Sequence, residues 1–135
     1  MKTKPYLCLE DARKIADAAM AHARSRNWAV SLCICDDGGH VLLLERSDGA
    51  APFTASMAFA KARCAALGGR ESKAFEDMIN QGRTAFLSAP LDGMLEGGVP
   101  VMTEGHVVGA VGVSGVKSSE DAEVARTGIA ALGSP

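Results

Sequence analysis

Aromatic side chains are scarce in this sequence: one tryptophan, one tyrosine and four phenylalanines among 135 residues. Its core must therefore be built from aliphatic residues and many alanines, whose small size lets helices lie close against a sheet. There is no basic stripe, and the lone Trp and Tyr offer no stacking platform, which argues against nucleic acid as a partner. Acidic and basic residues nearly balance, 16 against 14, giving a formal net charge of −2. No apolar run reaches the ~18 residues of a membrane span, so no membrane partner is expected. The opening stretch to Leu9 carries two lysines and no apolar run, unlike a secretory signal, so the cytoplasm is the expected location. In that setting Cys8, Cys33, Cys35 and Cys64 read as reduced thiols. His-x-x-x-His pairs are missing and Cys33-x-Cys35 has no second ligand pair nearby, so no metal site is expected.

What is present reads as one domain over residues 1–135, without repeats or a low-complexity linker. Residues 9–26 place Leu9, Ala12, Ile15, Ala16, Ala19, Met20 and Ala23 on one helical stripe. Residues 28–36 alternate: Trp28, Val30, Leu32 and Ile34 face one way, Ala29, Ser31, Cys33 and Cys35 the other. Asp37-Gly38-Gly39 turns the chain into a second strand at 41–44, apolar on both faces and expected to be covered on both. An Ala-rich helix follows over 54–67, stopped by Gly68-Gly69, then a short helix at 72–81. Residues 84–98, with Pro90 and several glycines, read as loop that has room for a short edge strand. A second hairpin, 99–103 and 106–114, precedes a last helix at 119–132, for which Ser118 and Asp121 form a capping-box-like pair. The order α-β-β-α-α-β-β-α predicts an α+β fold with an antiparallel sheet flanked by helices.

Lys61 carries the most chemical information, because Met57, Ala58, Cys64 and Ala65 surround it one helical turn away. A lysine in an apolar stripe loses hydration and seeks a carboxylate, a carbonyl or an anionic ligand. It either serves a ligand or a base function, or snorkels to a surface acid. Arg46 and Asp48 stand two residues apart before Gly49, where the chain leaves its second strand; they suit a carboxylate grip or a locked loop. Gly97-Gly98 before Pro100 offers exposed backbone amides, while Gly109, Gly112 and Gly115 invite a helix or a ligand to press on the sheet. Glu120 and Asp121 open the last helix, where dipole compensation is the simpler role and pairing with Lys61 the alternative. His22 lies near the face of Ile15 and is the candidate axial ligand should an iron porphyrin bind.

The run Asp36–Gly49, the segment Ala58–Ala62, the run GGVPV at 97–101, and Gly105–Gly115 followed by Glu120-Asp121 resemble, in order and spacing, the GlcG/HbpS-like family. The same domain also occurs at the C-terminus of PduO-type cobalamin adenosyltransferases. The likeness implies a five-stranded antiparallel sheet with helices on both faces, similar to profilin-like and PAS-like domains. It also implies a homo-oligomer, with haem or a small anionic molecule as ligand. Its blocks fall on Arg46, Asp48, Gly49, Lys61, Gly97, Gly98, Pro100, Gly112, Ser114, Gly115, Glu120 and Asp121. Two readings follow. One is a binding module that holds haem near Lys61; the other is an enzyme for a small carboxylate or carbonyl compound. In the second, Lys61 acts as base or electrophile, Arg46 as anchor, and the Gly97-Gly98 amides stabilise an oxyanion.

Overall fold

The computed structural model describes residues 1–133, and its elements follow the predicted order. Helix α1 spans Leu9–Ser25, strand β1 Ser31–Asp36 and strand β2 Val41–Arg46. Helices α2 (Phe53–Gly68) and α3 (Ser72–Asn80) come next, then β3 (Gly98–Thr103), β4 (His106–Ser114) and helix α4 (Ser118–Ala130). All pairings are antiparallel, in the spatial order β2-β1-β4-β3.

Among the described residues the sheet has four strands, one fewer than the family resemblance implies. The stretch before β3 forms a 3-10 turn at Thr84–Ser88 and bonds locally, Leu91 N–H to the Ala89 carbonyl and Leu95 N–H to that of Gly93. Backbone groups spent on such short-range turns build no ladder.

The alternation in β1 sorts the two cores. Val30, Leu32 and Ile34 join Val111 and Val113 of β4 against Ile15, Ala19 and Met20 of α1 and Val124 of α4. On the opposite face Cys33, Cys35 and Ala110 lie against Ala58, Ala62 and Ala65 of α2. This second core is thin because its side chains are small. Gly98 and Gly112, paired across β3 and β4, let α2 approach: a Cβ at Gly112 would overlap the Ala58 carbonyl oxygen, and one at Gly98 that of Lys61.

Two local expectations change. Strand β2 is not covered on both sides; it is the sheet's edge, with Val41 and Leu44 about half exposed. And α4 is capped one residue earlier than Ser118, the Lys117 amide donating to Glu120 Oε1 at 3.3 Å, which frees Asp121 to turn inward. Among the described residues no helix is long and apolar enough to cross a membrane.

Candidate functional site

One end of the sheet gathers most of the predicted residues. Ser31, which begins β1, is paired with Arg46 at the end of β2 and with Ser114 at the end of β4. Gly98 begins β3 close by, and Asp48, Gly49, Gly115, Glu120 and Asp121 follow in the adjoining loops and the start of α4. Pro100 belongs within β3, an edge strand, where the missing amide of proline costs no inner ladder bond.

Lys61 is 4% exposed, and its ammonium is already partnered inside the chain. It donates to Asp121 Oδ2 at 3.0 Å and to the Val113 carbonyl at 3.0 Å. Asp121 Oδ1 accepts the Val116 amide at 3.1 Å. Since α2 and α4 cover opposite faces, this ion pair passes around the sheet end beside Gly97, where a Cβ would come within 2.9 Å of the Lys61 nitrogen. Burial pushes the Asp121 carboxyl above its ordinary range, with the Lys61 ammonium and the Val116 amide pulling it back. The anion that Lys61 needs is thus Asp121, the partner for which capping is the simpler reading of sequence.

Two groups of the enzyme reading, the Gly98 amide and the Lys61 ammonium, are engaged within the chain. Gly98 N–H donates to Ser72 Oγ at 2.8 Å, so that amide is not free for an oxyanion. Lys61, with two acceptors in place, is not presented as a base. Glu120 serves the cap of α4.

Beside this ion pair the surface opens into two adjoining hollows that share Asn27, Trp28 and Ala29. The first, about 540 Å³, has Arg24, Arg46 and Asp48 on its walls. The second, about 450 Å³, is walled by Gly49, Phe53, Ser114 and Gly115. Among the described residues no ion pair engages Arg24, Arg46 or Asp48, so the expected Arg46–Asp48 lock is not made. Two aromatic rings, Trp28 and Phe53, wall the second hollow. Under the floor, Ser31 Oγ and Thr54 Oγ1 share a buried hydrogen bond of 2.8 Å, which ties β1 to the start of α2.

His22 borders the same end. Its ring meets Trp28 edge-on at 6.0 Å between centroids, and its Nε2 lies 2.7 Å from Glu123 Oε2. That hydrogen bond, reinforced by Arg26, holds the Glu123 carboxyl below its usual range. A carboxylate on one ring nitrogen fixes the imidazole's orientation while leaving the other nitrogen to a metal. Among the described residues no cluster of three His, Cys, Asp or Glu is disposed to hold a metal ion.

Sequence reasoning did not single out Arg24, Phe53 or Ser72. Arg24 reads as an ordinary solvated residue of α1. Trp28 was legible only as part of an alternating strand, yet β1 begins three residues later and the ring stands at the strand's mouth. Its one available signal is position: the sole Trp follows Asn27, whose φ of 59° marks a tight turn.

Residues 7–130 match the model of a family described as "Haem degrading protein HbpS-like". Protein GlcG of Escherichia coli K12 is 53% identical over 114 residues, covering 84% of this chain and 85% of that protein. The crystal structure of a double mutant of Streptomyces reticuli HbpS is 32% identical and superposes with a TM-score of 0.89, covering 98% of this chain and 91% of that one. A PduOC:heme complex, 23% identical, covers 96% of each chain with a TM-score of 0.85 and shares the fold.

Proposed function

This chain belongs to the HbpS-like family, and we propose that it binds haem, or a similar flat carboxylated ligand, at the sheet end around Trp28. The observation that carries this reading is the pairing of unlike surfaces in adjoining hollows. Arg24 and Arg46, without ion-pair partners among the described residues, flank one, and the rings of Trp28 and Phe53 wall the other. A porphyrin needs both a flat apolar wall and cations for its propionates. The aromatic poverty of the whole sequence counts less when two of its six aromatic rings stand at one hollow. PduOC, which has the same fold, forms a complex with haem, and that supports the reading.

In this reading Arg24 and Arg46 would hold carboxylates by charge-assisted hydrogen bonds and Trp28 would supply the wall, while His22, whose ring meets Trp28 but lines neither hollow, would offer iron its nitrogen not bonded to Glu123. Bound haem supplies the redox-active iron, whereas this chain supplies orientation and charge. Lys61 acts from below: by pairing with Asp121 it fixes the backbone at 113–116 on which Ser114 and Gly115 stand.

The test is a Soret titration of the purified chain beside Trp28→Ala, Arg24→Gln/Arg46→Gln and His22→Ala. A stoichiometric Soret shift is expected in the wild type, with affinity reduced about a hundredfold or more in the double arginine variant, from the loss of two charged hydrogen bonds at ~1.5–3 kcal/mol each. His22→Ala should alter the band's position. No shift at equimolar haem sinks the proposal, and unchanged binding in all three variants moves the site elsewhere. Competition by a small carboxylate in the same titration separates recognition of the porphyrin from recognition of any carboxylate.

A further inference from the structure

At the far end of the sheet from Trp28 lies another hollow, which shares no residue with the two beside that ring. It encloses about 280 Å³ between the start of α1, the end of α4 and the β3–β4 hairpin. Its floor is apolar: Val101 and Val108 of the sheet, with Ile129 of α4 and Leu132 just beyond it.

Val108 reaches that floor through an irregularity in the ladder. Ala110 and Gly112 lie against α2, and strict alternation would turn Val108 the same way. Pairing instead steps from Val101–Gly109 to Met102–Val107, so Val108 is an extra residue and enters the core on the α1–α4 side. Bulges of this kind re-aim side chains and are frequent beside functional sites. The remaining wall is a strap, residues 4–7, pinned at both ends. Lys4 pairs with Asp37, and Leu7 is buried over Gly109, where a Cβ would come within 2.9 Å of its side chain. Between the pins Pro5 and Tyr6 border the hollow, the Tyr6 ring being 81% exposed.

Two charges of opposite sign stand on the rim, Asp11 and Lys14, three positions apart on α1. Among the described residues neither is in an ion pair. Asp11 Oδ2 accepts the Cys8 thiol and amide, at 3.0 and 3.1 Å, which hold its carboxyl below the usual range. Among the described residues no hydrogen bond engages Oδ1. The end of α4 presents the negative pole of its dipole across the hollow, which favours a positive group there.

Each wall restricts the occupant. The volume falls at the bottom of the ~300–1,000 Å³ range of small-molecule pockets, so a ligand well below porphyrin size fits. A simple carboxylate would face Asp11 unrewarded, and a simple amine would leave Lys14 unused. A wholly apolar ligand would strip water from both charges and return nothing. We propose that this hollow binds a small aliphatic α-amino acid, its carboxylate on Lys14, its ammonium on Asp11 and its side chain on the floor of Val101, Val108 and Ile129. The site is remote from Trp28, so it stands whether or not haem binds there.

Calorimetric titration of the purified chain with L-leucine reads this directly, beside isocaproate and isoamylamine, which keep the tail and one charge each. Leucine should bind saturably, one per chain, and each single-charge analogue at least tenfold more weakly. Lys14→Gln, an exposed change that leaves the cap of α1 in place, should weaken leucine at least tenfold with circular dichroism unchanged. Asp11→Asn, which retains a capping oxygen, should do the same. Failure of leucine, isoleucine and valine to bind at millimolar concentration overturns the proposal. So does isocaproate binding as tightly as leucine, or an affinity indifferent to Lys14→Gln.

Discussion

Lys61 and Asp121 are the charged residues most withdrawn from water, 4% and 2% exposed, and each is the other's counter-ion. Removing one partner of such a pair strands the other in a medium that cannot solvate it, typically at a cost of ~3–5 kcal/mol. Lys61→Met should therefore destabilise the fold by about that much in urea unfolding. Lys61→Met/Asp121→Leu should recover much of the loss, since neither charge is then orphaned. If the double variant is as unstable as the sum of the singles, the two residues do not act as a unit. The thiols divide just as sharply. Burial pushes Cys33 and Cys35 up to about 12 and Cys64 to about 11, so all three stay protonated and enclosed at ordinary pH. Cys8 alone is exposed, at the start of α1, where its thiol donates to Asp11. A thiol reagent at pH 8 should modify one cysteine quickly in the native chain and four after denaturation. A second fast thiol would mean that the α2 face of the sheet opens.

Helix α2 is the element on which sequence and structure can be compared most closely. Its span, Phe53–Gly68, lies within a residue of the reading at each end, because the glycines that stop it are plain and its interior holds no Gly or Pro. Gly69, with φ +68°, closes it in the left-handed conformation. The apolar neighbours of Lys61 one turn away left desolvation and snorkelling to a surface acid equally open, whereas the role of glycines within the strands, where a helix presses on the sheet, was legible. The counter-ion of Lys61 was legible only as the alternative to helix capping, with Glu120 and Asp121 not told apart. Asp121 stands 60 positions away on an element covering the opposite face, and spacing along the chain carries no sign of a contact made around a sheet edge. Nor did the alternation through 28–36 reveal that Trp28 stops short of the strand. Likewise β2, apolar on both faces, gave no local sign of being an edge, since edge position depends on which strand pairs next to it. The close approach of α2 makes its own prediction. Gly112→Ala would set a methyl group against the Ala58 carbonyl oxygen and the Ala62 amide, backbone on a helix that cannot yield locally. Overpacking of this kind costs ~1–3 kcal/mol, and the rigidity of the neighbours favours the upper part of that range. Gly105→Ala, in the open β3–β4 turn with nothing within 4 Å, is the control. There φ of +78° exacts only the smaller conformational cost, so the two variants should differ clearly in melting temperature.

At the scale of the whole molecule, two helical layers clasp a four-stranded sheet, and the Lys61–Asp121 pair joins them where the sheet ends. This arrangement gives stability a dependence on pH whose sign can be worked out. Burial raises the Asp121 carboxyl above its ordinary value of 3.8. Between that value and the raised one, the folded chain holds a proton that the unfolded chain has released. Stability from this group is therefore fully present below 3.8 and is lost as pH rises through the folded value. Asp11, Asp37 and Glu123, whose carboxyls are held low by hydrogen bonds to Cys8, Lys4 and His22 respectively, work the other way and lose their contribution on acidification. All three are only partly buried and therefore weakly stabilising, but together they would mask the slope in a wild-type curve taken alone. The difference between the wild type and Asp121→Asn isolates it, since the variant keeps the three surface carboxylates and removes only the buried one. The stability advantage of the wild type over Asp121→Asn should be largest in acid and shrink as pH rises from about 4, before levelling. An advantage that instead grew with pH would mean that the Lys61 ammonium outweighs burial. The carboxyl would then be held low, and the pair would act as a net attraction between charges, not as a desolvated clasp whose cost the rest of the fold sustains.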